Sequence, residues 1–156
     1  MITATLRISY LLFFIIIASQ GIFYLTGISK ALLGISLESF IEQRKAIDAV
    51  ISTPLRVIYY SALITGLLLT LTTIQKPTSL LFITTIISFL CLSADVYLIV
   101  TQSLPLNKIV NDFPLNSDSI NFETIRVKWL TYINYRGMFA ITGLLVLLSG
   151  FILEKK

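Results

Sequence analysis

Four apolar runs, at about 8–28, 55–74, 80–101 and 129–153, occupy most of this 156-residue chain. A helix needs about 20 mostly apolar residues to cross the hydrocarbon core of a bilayer. Each run meets that length, and what remains between them is too little for a soluble domain. Charge usage agrees: 13% of residues are charged and 56% are hydrophobic, where a soluble domain carries roughly 25% charged residues. The expectation is one all-α domain over residues 1–156, an integral membrane four-helix bundle. The first run is read as a span and not a signal peptide, because it exceeds an h-region in length and no Ala-x-Ala site follows it.

Composition also narrows the chemistry. Histidine is absent and Cys91 is the single cysteine, so no internal disulfide forms and the commonest metal and haem ligand is missing. The carboxylates are scattered, with no Glu-x-x-His arrangement of a di-iron bundle. No metal site and no cofactor are expected. The net charge of +4 fits lysines and arginines flanking membrane spans, so nucleic acid is not an expected partner. Membrane lipid is, together with a candidate hydrophobic small molecule and a protein partner or second copy of the chain. The expected location is a bacterial cytoplasmic membrane.

Residues 36–52 differ from the spans. Leu37, Phe40, Ile41, Ile47, Val50 and Ile51 recur at helical spacing, and Glu38, Glu42, Lys45 and Asp48 fall largely elsewhere. This pattern predicts an additional amphipathic interfacial helix between spans one and two. Ser39 with Glu42 would make a capping box, or Ser36 would cap one turn earlier. Pro54 is placed just before or at the start of the second span. Arg44 falls inside the apolar stripe. Two readings stand for it: snorkelling to headgroups, or pointing into a cavity under the helix.

Asp95 lies inside the third run, where a carboxylate is costly and calls for a partner or a role. With 100° per residue, Thr84, Ser88, Cys91, Asp95 and Gln102 share one face. Arg136, in the last run, is the candidate partner. Asp95 lies roughly 15 Å below the end of its span at Pro105, and Arg136 lies roughly 22 Å along a helix starting near Asn121. If one to two turns of that helix protrude, the two meet at similar depth. An ion pair accounts for both charges without a functional role; the other reading gives them a polar cavity shared with Tyr59, Gln20 or Trp129.

The connections follow from turn chemistry. Pro105-Leu106-Asn107 is expected to close the third span, with a short helical stretch from Leu106 to Phe113 after it. Pro114, Asn116, Ser117 and Asp118 supply a turn, and Asn121 a cap for the last helix. Trp129 and Tyr132 fit an interfacial aromatic belt. Both termini and the Lys76 link should share one side, with residues 36–52 and the 107–121 loop opposite. Lys30, Arg44, Lys45, Arg56, Lys108, Arg126 and Lys128 fall on the latter side, which the positive-inside rule makes cytoplasmic.

Two motif fragments carry a family resemblance. Pro105-Leu106-Asn107 ends the third span, and Trp129, Asn134 and Arg136 stand as Trp-(four residues)-Asn-Tyr-Arg at the start of the last. This pattern resembles the four-span family containing the anthrone oxygenases. Where fungal members often place a histidine near the motif, this chain has Asn134 or Tyr135. The resemblance implies a four-helix bundle with Asn107, Trp129, Asn134 and Arg136 near a polar pocket. It also implies oxidation of polycyclic phenols to quinones without metal or flavin.

Two functions are therefore carried forward. One is a binder of a hydrophobic, aromatic or quinol-like molecule, extending to a cofactor-independent oxygenase. Its candidate catalytic residues are Asp95 and Arg136, and its candidate ligand-binding residues are Asn107, Trp129, Asn134, Arg136 and Arg44. The other is a non-catalytic accessory subunit or scaffold, in which the Asp95–Arg136 pair fixes helix register. Whether the protein is an enzyme is left open at this level. An enclosed polar pocket favours the first, and an exposed small-residue seam the second.

Overall fold

A computed structural model describes residues 2–113 and 122–153. Within them the chain is all-helical, with four helices long and apolar enough to cross a membrane: α1 (Ile2–Gly34), α2 (Leu37–Thr73), α3 (Leu80–Asp112) and α4 (Phe122–Leu153). Two are interrupted by a single π turn, Tyr24–Ile28 in α1 and Ile99–Ser103 in α3. The turn in α1 carries a kink at Gly27. Ser36 and Ser79 cap α2 and α3, each accepting a backbone N–H, from Ser39 and Phe82 respectively. Of the two sequence candidates, the earlier serine is thus the cap, and α2 starts one turn sooner than a Ser39 cap would place it.

The helices run up and down. Tyr10 meets Ser88, Tyr59 meets Asp95, and Leu32 meets Arg126. Ile2, Leu153 and the 74–79 connection therefore lie at one end of the bundle, and the 35–36 link lies at the other. Turn residues Pro114, Asn116, Ser117 and Asp118, the Asn121 cap, and Lys155 and Lys156 fall outside the described residues.

Glycines set the helix spacing. A Cβ on Gly21 would lie 2.5 Å from the Cα of Gly137, so α1 and α4 cross in backbone contact. Gly143 accepts the Phe14 ring and Gly150 the Thr84 side chain in the same way. Small residues permit this approach, and van der Waals packing rewards it. The outward faces are apolar, with Ile64, Leu71, Leu90 and Leu145 all exposed.

Two expectations about the elements need correction. Residues 37–52 are not a separate interfacial helix; they are the first turns of α2, which runs unbroken through Pro54. A proline in a helix frees the carbonyl four residues earlier. Here that residue is Val50, 76% exposed, so the freed carbonyl lies on an open face and the helix tolerates the loss. Pro105 does not end the third helix either. It follows the π turn at Ile99–Ser103 and sits in the first turn of the Leu104–Asp112 segment. The hydrogen-bond ladder is already shifted there, so the missing N–H removes little.

The interior divides in two. Tyr10, Phe14, Ile17, Ala62, Leu69, Leu92 and Leu147 form one core. Phe40, Ile41, Leu106, Val110, Phe122, Trp129 and Leu130 form a second, toward the 35–36 link.

Candidate functional site

Between the two cores lies a polar network built on Asp95. Its side chain is 2% exposed, and Oδ1 accepts from Arg136 Nε at 2.8 Å. Oδ2 accepts from the Tyr59 hydroxyl at 2.6 Å. Arg136 Nη2 donates back to the Tyr59 oxygen at 3.2 Å, and Nη1 donates to Ser103 Oγ at 3.3 Å. The pairing read from the sequence is therefore present, and the network ties α2, α3 and α4 together. Its geometry follows from helix register: Tyr59 and Asp95 sit on facing helices, and the π turn brings Ser103 to the same arginine. Each guanidinium nitrogen has a partner, which is what a buried charge requires.

Beside this network is a cavity of about 570 Å³, within the size range of small-molecule sites. Its walls come from the π turns of α1 and α3, from α2 between Arg44 and Leu63, and from the first turns of α4. Both π turns contribute, through Tyr24 on one side and Ile99, Val100 and Ser103 on the other. Such turns widen a helix locally and recur at functional sites. A second, much smaller space of about 10 Å³ lies behind, bounded by Gln20, Tyr59, Asp95 and Arg136. Tyr59 and Arg136 face both spaces, whereas Asp95 borders only the smaller one. Asp95 thus stands behind Tyr59 and Arg136 with respect to anything in the large cavity.

A second polar group closes the cavity toward the 35–36 link. Trp129 donates Nε1–H to Asn107 Oδ1 at 2.7 Å. Asn107 Nδ2 reaches Asp48 Oδ1 at 3.4 Å, and Asn111 Nδ2 reaches Asp48 Oδ2 at 2.8 Å. Arg44 lies over the Trp129 ring, 4.2 Å from its centroid, and Tyr24 and Phe40 meet the same ring edge-on. Arg44 is buried, at 6% exposure, so the cavity reading of this residue holds and the snorkelling one does not. Trp129 is likewise buried, at 5% exposure, and is no interfacial anchor. Its ring fills the second core because α2 extends past the membrane-length region and covers it.

The motif residues separate. Asn107, Trp129, Arg136 and Arg44 all line the cavity. Asn134 does not: its Oδ1 accepts from Ser29 Oγ at 2.7 Å, which fastens α4 to the kinked end of α1. It lies two residues before Arg136, about 200° around the helix, and so faces the other way. Arg126, read only as a flanking charge, is buried and donates to the Leu32 and Ile35 carbonyls at the end of α1. Asp48, Asn111 and Ser103 were not singled out by sequence reasoning. A signal existed for two of them: Arg44/Asp48 and Asn107/Asn111 are i,i+4 pairs on facing helices. Ser103 had none, since its position depends on the π turn.

No group of three or more metal-ligating side chains occurs among the described residues. Comparison with protein-family models, curated proteins and solved structures finds no match for this chain.

Proposed function

We propose that this is an integral protein of a bacterial cytoplasmic membrane that binds a hydrophobic, aromatic or quinol-like molecule in the cavity between Arg44 and Arg136. The observation that carries the proposal is the cavity itself, large and mostly apolar, with a few fixed polar groups converging on it. That combination is typical of small-molecule sites. The exposed apolar outer faces support a lipid setting, because soluble monomers rarely expose large contiguous apolar surface. The ligand would reach the cavity from the lipid past Tyr60 and Val100, both exposed on its rim.

The resemblance to the anthrone oxygenases, carried by Asn107, Trp129 and Arg136, extends the proposal to chemistry. A phenol in the cavity would pass its proton to the Tyr59 oxygen as the Tyr59 hydroxyl hydrogen moves to Asp95 Oδ2, with Arg136 beside the resulting anion. Charge stabilisation in a dry pocket is effective because the donors are already oriented. Dioxygen would be the oxidant: with a phenol one of its atoms enters the ring and the other leaves as water, and with a quinol it leaves as hydrogen peroxide.

Trp129 is the single tryptophan of the chain, so its emission reports directly on the cavity. Titration of detergent-solubilised protein with a naphthol, a short-chain quinol and an alkyl ester should shift that emission and raise the melting temperature. Oxygen uptake with the naphthol and quinol tests the oxidation step. If none of the probes changes either signal, the binding role is wrong. A scaffold role is favoured by one observation: the Asp95–Arg136–Tyr59–Ser103 network is satisfied internally and needs no ligand to explain it.

A further inference from the structure

The two cavity arginines differ in what they have left to offer. Arg136 spends Nε, Nη1 and Nη2 on Asp95, Ser103 and Tyr59. Arg44 has no such set. Its Nε is buried and has no hydrogen-bond partner among the described residues, and its closest carboxylate, Asp48 Oδ1, is 4.0 Å away. Asp48 is itself engaged by Asn107 and Asn111. A buried guanidinium nitrogen lacking an acceptor is costly; stacking on Trp129 answers only the flat face, and the neighbouring Tyr24 hydroxyl leaves Nε unmet.

The charge of the walls points the same way. With Asp95 balancing Arg136, the remaining lining charges are Arg44, Arg56 and Asp48, a surplus of one positive charge. The cavity is also long and graded. Along α2 it runs from Arg44 to Leu63, about 28 Å at 1.5 Å per residue. Its Arg44 end carries Asp48 and Asn107, while Leu63, Val96, Ile99 and Val100 line the part toward the apolar runs.

We propose that the cavity takes a monoanionic amphiphile, with one acidic oxygen head at Arg44 and an apolar body lying between α2 and α3 toward the lipid. The head is a carboxylate or an ionised phenol, since both offer an acceptor oxygen with a single negative charge. This rests on the binding role proposed above and not on the oxidation step, since the charged head lies at Arg44 and not at Tyr59 and Arg136; it adds the charge and orientation of the ligand. Arg44 meets the head as an anion-binding residue, and Trp129 keeps the guanidinium flat and in place.

The test uses four probes on the full-length protein in uncharged detergent. They are dibromostearate and its methyl ester, and a ring-dibrominated long-chain alkylphenol and its methyl ether. Bromine quenches Trp129 emission, so each titration gives an affinity. At least one acid should bind about tenfold or more tightly than its neutral partner, a difference typical of one charge-assisted hydrogen bond. Preference within the first pair identifies a carboxylate head, and within the second a phenolate. Arg44→Gln should cut the preference to below about threefold, and Arg44→Lys should restore part of it because charge returns without the planar fork. Should Arg44→Gln fail to fold, the acid-to-neutral ratio of the natural protein still decides. Equal binding within both pairs overturns the anionic head but leaves the cavity as a binding site. No binding by any of the four overturns both.

Discussion

The two ends of this bundle are built on opposite principles. At the end that holds Ile2 and Leu153, the helices touch through glycine: Gly66 receives the Tyr10 and Phe89 rings, Gly143 the Phe14 ring, and Gly150 the Thr84 side chain. Two polar contacts there are uncharged: Thr84 bonds back to the Leu80 carbonyl one turn away, and Tyr10 pairs with Ser88 across helices. At the other end two π turns, a kink at Gly27 and two buried arginines hold the helices apart around a cavity. Asp95, Tyr59 and Arg136 form the boundary. Close packing and an open site coexist because they involve different helices: the Gly21–Gly137 contact beside Arg136 closes α1 on α4, and most of the cavity wall comes from α2 and α3.

The strongest way to break this division is at the boundary. Replacing Asp95 or Arg136 alone by an apolar residue should cost about 3–5 kcal/mol, because the remaining charge is left buried. Replacing both, as Asp95→Leu with Arg136→Met, should be distinctly milder than the worse single change. Unfolding in mixed micelles measures all three. A double variant no more stable than the worse single one would show that the network, and not the uncompensated charge, sets the cost.

The next test contrasts added volume at the two ends. Gly143→Leu drives a side chain into Phe14 and Cys91 and should cost about 1–3 kcal/mol or more through overpacking. Val100→Phe, on the exposed rim of the cavity, should stay within about 0.5 kcal/mol of the natural protein while weakening ligand binding. Equal melting-temperature losses at both positions would mean the cavity end is as tightly constrained as the closed end.

A smaller effect than overpacking comes from removing single hydrogen bonds on either side. Tyr10→Phe deletes the bond to Ser88, and Trp129→Phe deletes the bond to Asn107. Each should cost about 0.5–1.5 kcal/mol. The two should part on binding: Trp129→Phe loosens the platform under Arg44 and lowers affinity, whereas Tyr10→Phe leaves affinity unchanged. Calorimetric titration with the best-binding probe separates them, and equal affinity losses would refute the division.

Much of the architecture was legible in the chain. The four apolar runs set the number of helices, and the short 75–79 link makes the second and third antiparallel neighbours. The Asp95–Arg136 pair could be placed by counting residues, since helical rise is fixed and two lone charges in apolar surroundings have few partners. Arg44 was conspicuous because it broke an apolar stripe. Where sequence reasoning misplaced helix ends, the cause was a proline. Pro54 and Pro105 are strong local stop signals, yet both lie within continuous helices, one opposite an exposed carbonyl and one just past a π turn.

The sequence by itself determined the helices, their outward apolar faces and the need for an internal ion pair, because these follow from local periodicity and the cost of isolated charge. Only the tertiary structure decided that residues 37–52 extend α2 over the bundle, that Trp129 is buried beneath Arg44, and that Asn134 faces Ser29 and not the cavity. It also decided that a cavity exists at all. The last three depend on how the helices are rotated and spaced, which contacts between residues far apart in the chain decide, the Gly21–Gly137 approach and the two π turns among them.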